Sequence, residues 1–233
     1  MKTYAFIFAR GGSKGLPGKN IRNLAGQPLL AYSINVAKQV ESIEKVFVST
    51  DCPQIAAIAK QYGAEVIDRP EDLAADTSAE WKSWQHAVET LEQRGDRFDI
   101  FLSLPATSPL RNAGDVRKCL DSIKDADVVV TVTPAATNPY FAMLIRDDAG
   151  FSKLVCGDGT ITRRQDAPAV YDMTGVAYVT RPSYIKASTG LFDGRLKSVV
   201  IPRMRAVDVD DIYDFKMAEM FVHDENLNKD LDA

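Results

Sequence analysis

The stretch Phe8-Ala9-Arg10-Gly11-Gly12-Ser13-Lys14-Gly15-Leu16-Pro17-Gly18-Lys19-Asn20 follows a short apolar run, and the eleven positions from Arg10 to Asn20 hold four glycines and three cations. Glycine lets backbone N–H groups approach a ligand closely and adopt positive φ. Consecutive N–H groups in such a turn form an anion-binding concavity. Arg10, Lys14 and Lys19 then supply charge to a di- or triphosphate. A glycine-rich surface turn with incidental basic residues is the competing reading, and the strand-then-loop context weighs against it. The loop fits neither common nucleotide template. A P-loop needs glycine where Ser13 stands and Ser or Thr where Asn20 stands. The dinucleotide fingerprint G-x-G-x-x-G is also missing from residues 11–15.

A second signal lies near the C-terminus, in Arg205-Ala206-Val207-Asp208-Val209-Asp210-Asp211-Ile212. Asp208 and Asp210 alternate around an apolar residue, so on an extended segment both carboxylates point to one face. Mg²⁺ favours one or two such hard oxygen ligands together with substrate phosphate oxygens. Acidic residues before a helix also serve as N-caps and dipole partners, a duty for which Asp211 is well placed. A polyphosphate loop in the same chain favours the metal for Asp208 and Asp210. The third signal is Arg163-Arg164-Gln165-Asp166-Ala167-Pro168. Adjacent arginines suit bidentate contacts with a carboxylate or phosphate, and equally suit a solvated charge pair at a strand end.

These residues need a scaffold. Short β-branched and aromatic runs alternate with helical patterns, which predicts an α/β fold with a mainly parallel sheet. Strands are expected over 4–9, 45–49, 65–67, 99–104, 127–133, 175–180 and 198–202, and helices over 28–40, 53–62, 79–94, 113–124 and 212–223. Pro28 and Pro53 suit first helical turns, and Gly63 and Gly95 suit C-terminal caps. Asp51, ahead of Cys52, is the favoured N-cap of the second helix. Between about 134 and 171 the alternation stops. Asp147-Asp148-Ala149-Gly150 and Gly157-Asp158-Gly159-Thr160 read as hairpin turns there, so a hairpin excursion replaces an improbably long structureless loop. A second subunit is the expected cover for such an arm. The whole chain, 1–233, reads as a single domain carrying this excursion. Trp81 and Trp84, three apart on one helix, most simply pack the core. His86 and His223 sit on expected helices without partner motifs.

Composition bounds the classes. With 45% hydrophobic and 26% charged residues, the chain sits in the soluble globular range. A net charge of −4 argues against a broad nucleic-acid or membrane surface. Cys52, Cys119 and Cys156 lack metal-ligand spacing and fit reduced thiols. No segment approaches the ~20 apolar residues of a membrane span, and no signal-peptide pattern opens the chain. A cytoplasmic protein is therefore expected.

In order and spacing, the loop 9–20, Val48-Ser49-Thr50-Asp51, Arg69-Pro70 with residues 73–77, Thr107-Ser108-Pro109-Leu110-Arg111, Arg164-Gln165-Asp166 with Pro168, and Asp208-Val209-Asp210 together resemble the acylneuraminate cytidylyltransferase family. The resemblance spans nearly the whole chain. It implies a nucleotide-diphosphosugar-transferase-like three-layer α/β sandwich with a hairpin dimerisation arm. It also implies a reaction that joins CTP to the anomeric hydroxyl of a 2-keto sugar acid and releases pyrophosphate. By motif match, Arg10, Ser13, Lys19 and Asn20 would bind the nucleotide, and Asp208 and Asp210 would hold Mg²⁺. Arg164 and Tyr178 would line the sugar end, and Gln165 is expected beside them. Arg111 would either orient a loop beside the nucleotide or form a structural ion pair. Arg10, Lys19 and Asp210 are the expected catalytic groups.

The departures fall on the sugar side. The family string Leu-Gln-Pro-Thr is here Leu104-Pro105-Ala106-Thr107, so a side-chain donor is lost at Pro105. Thr174 stands where Asn is frequent, and Asp172 where some sialic acid enzymes carry arginine. The expected acceptor is a nonulosonic acid, N-acetylneuraminate or a close analogue. The alternatives are CMP activation of an eight-carbon octulosonate and a degenerate nucleotide-binding regulator.

Overall fold

The structure is a computed structural model, and it describes residues 1–223. In chain order the elements are β1 (Thr3–Phe8), β2 (Asn23–Leu24), β3 (Gln27–Pro28), α1 (Leu29–Lys38), β4 (Ile43–Thr50), α2 (Pro53–Gln61), β5 (Glu65–Asp68), α3 (Glu71–Ala74) and α4 (Glu80–Gln93). Then come β6 (Ile100–Ser103), α5 (Ala113–Ser122), β7 (Val128–Pro134), β8 (Leu144–Arg146), β9 (Ser152–Leu154), β10 (Tyr171–Thr180), α6 (Pro182–Ala187), β11 (Leu196–Val200) and α7 (Ile212–His223). The central sheet has seven strands in the order β11-β7-β10-β6-β1-β4-β5. Every pairing in it is parallel except the two made by β10. The mainly parallel sheet predicted from alternation is the one observed.

Side chains of β1 alternate between two apolar layers, as the period of two in a strand demands. Ala5 and Ile7 face Leu30 and Ile34 of α1, Ile55 and Ala59 of α2, and Val116 and Cys119 of α5. Tyr4 and Phe6 face Trp81, Trp84, Val88 and Leu91 of α4 and Ile185 of α6. The fold is therefore a three-layer sandwich. Phe6 stacks on Phe101 at 4.3 Å between centroids, and Trp84 lies 5.1 Å from Phe101. Both tryptophans thus serve the core, as their spacing predicts. Trp81 Nε1 also donates to Ser188 O (3.0 Å) and Gln85 Nε2 to Ile185 O (3.1 Å), tying α6 to α4.

Three local expectations need correction. The N-cap of α2 is Cys52, not Asp51, and it makes no side-chain capping bond. Asp51 instead accepts the Gly11 N–H at 3.0 Å, a tertiary contact that outcompetes the local cap. In the excursion, Asp147–Gly150 turns a real hairpin between β8 and β9. Residues 157–160 connect no strand pair; there Asp158 Oδ1 accepts from its own neighbour, the Thr160 N–H, at 3.1 Å. The strand expected from 175 begins earlier, at Tyr171, because β10 pairs with β7 on both sides of a bulge between Thr174 and Tyr178. The buried Thr131 hydroxyl stabilises that bulge by accepting from Ala177 N–H (3.1 Å) and from the Thr174 hydroxyl (2.8 Å).

The segment ahead of Asp208 is anchored by charge. Arg205 Nε and Nη2 reach Asp115 Oδ2 and Oδ1 at 2.8 and 3.0 Å, with both side chains buried. Asp115 also closes the capping box of α5 with Asn112. Replacing Arg205 by Ala leaves a buried carboxylate uncompensated, which costs about 3–5 kcal/mol. We expect the urea midpoint of Arg205→Ala to fall by a corresponding amount; a midpoint equal to wild type would show that the pair is not an anchor.

Candidate active site

The chain runs from β1 outward to β4 and β5 and then returns to the other side of β1 as β6. Open parallel sheets bind ligands at such a reversal, outside the carboxyl ends of the strands. A cleft of about 740 Å³ opens there, lined by residues following β1 (Arg10, Ser13, Lys14, Gly15, Lys19, Asn20), β5 (Arg69, Asp76, Glu80) and β6 (Pro105, Ala106, Thr107), together with Asp210.

The glycine loop and the acidic segment are seated together. Leu16 from the loop is buried with Val207 and Val209, along with Leu24, Leu29, Leu110 and Phe215. Burying the valines at 207 and 209 turns Asp208 and Asp210 to the opposite, open face, as strand alternation requires. Val209 N–H donates to Thr107 O at 2.8 Å, and Lys19 Nζ reaches Val209 O at 2.8 Å and Asp210 Oδ1 at 3.0 Å. A Cβ on Gly15 would lie 2.5 Å from the Asp210 carbonyl oxygen, so only glycine permits this approach. Gly18 takes φ +67 to open the short turn Lys19–Ile21, and there the buried Asn20 donates Nδ2–H to Arg10 O at 3.1 Å.

Charge is arranged in opposed groups. Arg10 Nη1 meets Asp76 Oδ1 at 2.6 Å, and Lys14 contacts the other Asp76 oxygen. Lys14 and Arg10 hold the Asp76 carboxyl below the usual carboxylate range. Asp208 behaves oppositely. The residue is exposed, but the protein packed around its carboxyl raises it, and the Asp210 charge adds to this against a Thr107 hydrogen bond and the cations Lys19 and Arg111. The acidic pair offers hard oxygen donors from one face. Among the described residues no group of three or more His, Cys, Asp or Glu is placed to hold a metal. Two hard carboxylates suit an ion such as Mg²⁺, which takes one or two protein carboxylates together with substrate phosphate oxygens and water.

Of the residues singled out from sequence, the fold brings Arg10, Ser13, Lys19, Asn20 and Asp210 together around this cleft; Asp208, two residues before Asp210, hydrogen-bonds Thr107 of the cleft lining. Arg111 lies beneath it. Its buried guanidinium donates to Ser33 Oγ at 2.5 Å, to Pro105 O, and to Gly175 O at 3.2 Å. Burial pulls its pKa down to about 9, still charged at neutral pH. Arg111 is thus a clamp between the β6 loop and the β10 bulge. Tyr178 is partly buried beside Trp84 (5.8 Å), and burial, with the charges of Glu80 and Asp208, pushes its hydroxyl up to about 12. Arg164 and Gln165 lie elsewhere, on an exposed turn at the base of the arm, where Arg164 faces Pro134, Ala135 and Pro168. Arg163 does not join Arg164 in an anion site; it pairs bidentately with Asp166 at 2.7 and 2.9 Å. Asp172 accepts the Ala136 N–H at 3.3 Å.

Three cleft residues carried no assigned role from sequence. Arg69 is buried, donates to Ser49 O (2.6 Å) and Ser49 Oγ (3.2 Å), and lies 5.5 Å over the Phe8 ring. Arg69 and Asp76 belong to strings that carried the family resemblance, so a signal existed. Glu80 had none, because an acid in a first helical turn reads as a dipole partner.

A family profile described as cytidylyltransferase matches residues 4–187. The post-translational flagellin modification protein B of Campylobacter coli is 34% identical over 225 residues, covering 95% of each chain. The CMP-N,N'-diacetyllegionaminic acid synthase of Campylobacter jejuni is 34% identical over 227 residues, again covering 95% of each. Among solved structures, a CMP:2-keto-3-deoxy-manno-octonic acid synthetase complexed with CTP superposes with a TM-score of 0.72 at 17% identity, covering 95% of this chain and 98% of that one. The phosphate-type loop, the acidic pair and these matches agree: the chain belongs to the cytidylyltransferase family.

Proposed function

We propose that the protein joins CTP to the anomeric hydroxyl of a nonulosonic (sialic-acid-like) 2-keto sugar acid, giving the CMP-sugar and pyrophosphate. One observation carries this reading: a glycine loop bearing Arg10, Lys14 and Lys19 is bonded, through Lys19, to the segment holding Asp208 and Asp210 in one cleft. The relatives named for CMP-legionaminate synthesis supply the acceptor class. In the reaction the sugar hydroxyl oxygen bonds to the α-phosphorus, the bond from that phosphorus to the pyrophosphate oxygen breaks, and the hydroxyl proton is lost. Positioning and charge neutralisation dominate such a transfer.

The loop N–H groups and Ser13 bind phosphate oxygens, Asn20 holds the Arg10 carbonyl and with it the loop, and Arg10 and Lys19 offset charge that develops on the departing pyrophosphate. Asp208 and Asp210 would hold Mg²⁺, which when bound would withdraw charge from the phosphates. Tyr178 stays protonated and packs at the acceptor end. Arg111 fixes the floor by holding Pro105 and Gly175. A reaction that draws on CTP suits the cytoplasm, the location we propose.

We also propose a homodimer formed through the excursion at about 134–171. Its hairpin leaves Leu144 59%, Ile145 51% and Phe151 76% exposed, an apolar patch that a second copy would cover. The pairing would carry Arg164 and Gln165 toward the partner copy's cleft, where a sugar carboxylate could meet them.

Asp210→Ala should lose at least ~100-fold in turnover, measured as pyrophosphate release with CTP and a panel of nonulosonic and octulosonic acids, with its circular dichroism unchanged. Turnover near wild type would remove Asp210 from the mechanism. Because Asp76 neutralises Arg10 and Lys14, Asp76→Asn should bind inorganic pyrophosphate roughly two- to fivefold more tightly by calorimetry; equal or weaker binding would mean that the contact does not compete with phosphate. Light scattering at micromolar concentration should give twice the 25.6 kDa chain mass, and a monomer would refute the arm's role.

A further inference from the structure

A second hollow, of about 470 Å³, opens where β7 and β11 end, at the edge of the sheet away from β5. It shares no lining residue with the cleft described above. Four cations line it: Lys118 of α5, Arg164 at the base of the arm, and Arg203 and Arg205 of the short turn Arg203–Ala206. No carboxylate lines it. Its backbone frame is held in place. The Ile201 N–H donates to Val132 O at 2.7 Å, carrying the β11–β7 pairing past Val200, and the Arg205 N–H closes the turn onto Pro202 O at 2.9 Å. Arg205 is itself buried on Asp115.

Charge sets this hollow apart from the cleft. The cleft interleaves its cations with Asp76, Glu80 and Asp210. In the hollow, Asp115 offsets Arg205 from outside the lining, while Lys118, Arg164 and Arg203 make no ion pair among the described residues. Single unpaired cations are ordinary on a solvated surface. Several that converge on one concavity, in a chain of net charge −4, concentrate a positive field there. Val200, Ile201 and Pro202 supply an apolar wall beside them, which sharpens that field by excluding water. A volume of this size suits a small ligand.

We propose that the hollow is an anion site, separate from the reaction cleft, for the phosphate group of a small molecule. A phosphate group brings close to two negative charges and three acceptor oxygens, so it answers several cations where one carboxylate answers fewer. The guanidinium forks of Arg203 and Arg164 meet such oxygens in pairs. The phosphate comes either as the inorganic ion or as an ester whose organic body lies on the apolar wall. Arg164, placed above near a partner copy, is not required, because Lys118, Arg203 and Arg205 belong to α5 and the turn rather than to the arm. The inference goes beyond the cytidylyl-transfer reading and does not depend on it.

The test is calorimetry of the full chain with inorganic pyrophosphate and with ribose 5-phosphate, at about 0.15 M salt so that diffuse surface attraction is screened. The Lys19→Ala variant, in which cleft binding is weakened, should still bind one of the probes at one site per chain. Adding Lys118→Ala and Arg203→Ala should weaken that site by about tenfold or more, the scale of two lost charge-assisted bonds. If circular dichroism shows that the alanine pair does not fold, Lys118→Gln with Arg203→Gln removes the same charges. Tighter binding of pyrophosphate identifies the inorganic ion, and tighter binding of ribose 5-phosphate identifies an ester; both support the site. No saturable binding of either probe overturns it, as does binding that survives loss of Lys118 and Arg203. A single class of site in wild type, weakened alike by Lys19→Ala and by the hollow variants, would make the hollow part of a reaction cleft and also overturns the proposal.

Discussion

The site depends on one close approach. Two segments almost the whole chain apart, the glycine loop after β1 and the acidic strand before α7, must come within backbone contact so that phosphate-binding N–H groups and metal-binding carboxylates address the same ligand. Gly15 permits the approach because any side chain there would strike the Asp210 carbonyl. Lys19 secures it with two bonds across a separation of 190 or more residues. Leu16, Val207 and Val209 supply the hydrophobic seat beneath. Fully burying each such side chain contributes about 1.5–3 kcal/mol, more than the partly exposed Lys19–Asp210 pair adds by itself. Apolar burial thus sets the position, and the charged contact sets the direction.

The remaining architecture transmits that placement. Arg205 and Asp115 lock the approach to the acidic strand onto α5. Arg111 ties the loop after β6 to the bulge of β10, which Thr131 stabilises from within the sheet. These buried polar groups are paired from inside the protein, the Arg111 Nε–H excepted, and they hold the cleft floor in one arrangement. The cleft walls carry the opposite design. Their charges pair across solvent-exposed side chains, where a substrate can exchange one partner for another at low cost.

Much of the fold was legible because its signals are local. Strand alternation, the glycine caps at 63 and 95, both at positive φ, and the paired tryptophans are set by neighbours within a few residues. The misread positions had two causes: a distant partner displaced a local one, or a near neighbour claimed a group that looked free. Asp51 carries a good capping side chain, yet the Gly11 N–H takes it. Arg163 looked available to a ligand, but Asp166 holds it. Residues 157–160 have turn chemistry without the flanking strands that make a hairpin. Arg111 follows a loop motif, and nothing in its neighbourhood says that three oxygen acceptors await it beneath the cleft.

Taken alone, the amino-acid sequence determined the chemistry: a polyanion loop, an acidic pair with one-face spacing, and an α/β frame to present them, all readable because each depends on residue type and short-range periodicity. Only the tertiary structure decided which charges oppose one another. It set Asp76 against Arg10 and Lys14, and Lys19 against Asp210. Electrostatic pairing and desolvation depend on distance and burial in three dimensions. No spacing along the chain encodes them until the sheet has brought its strand ends together.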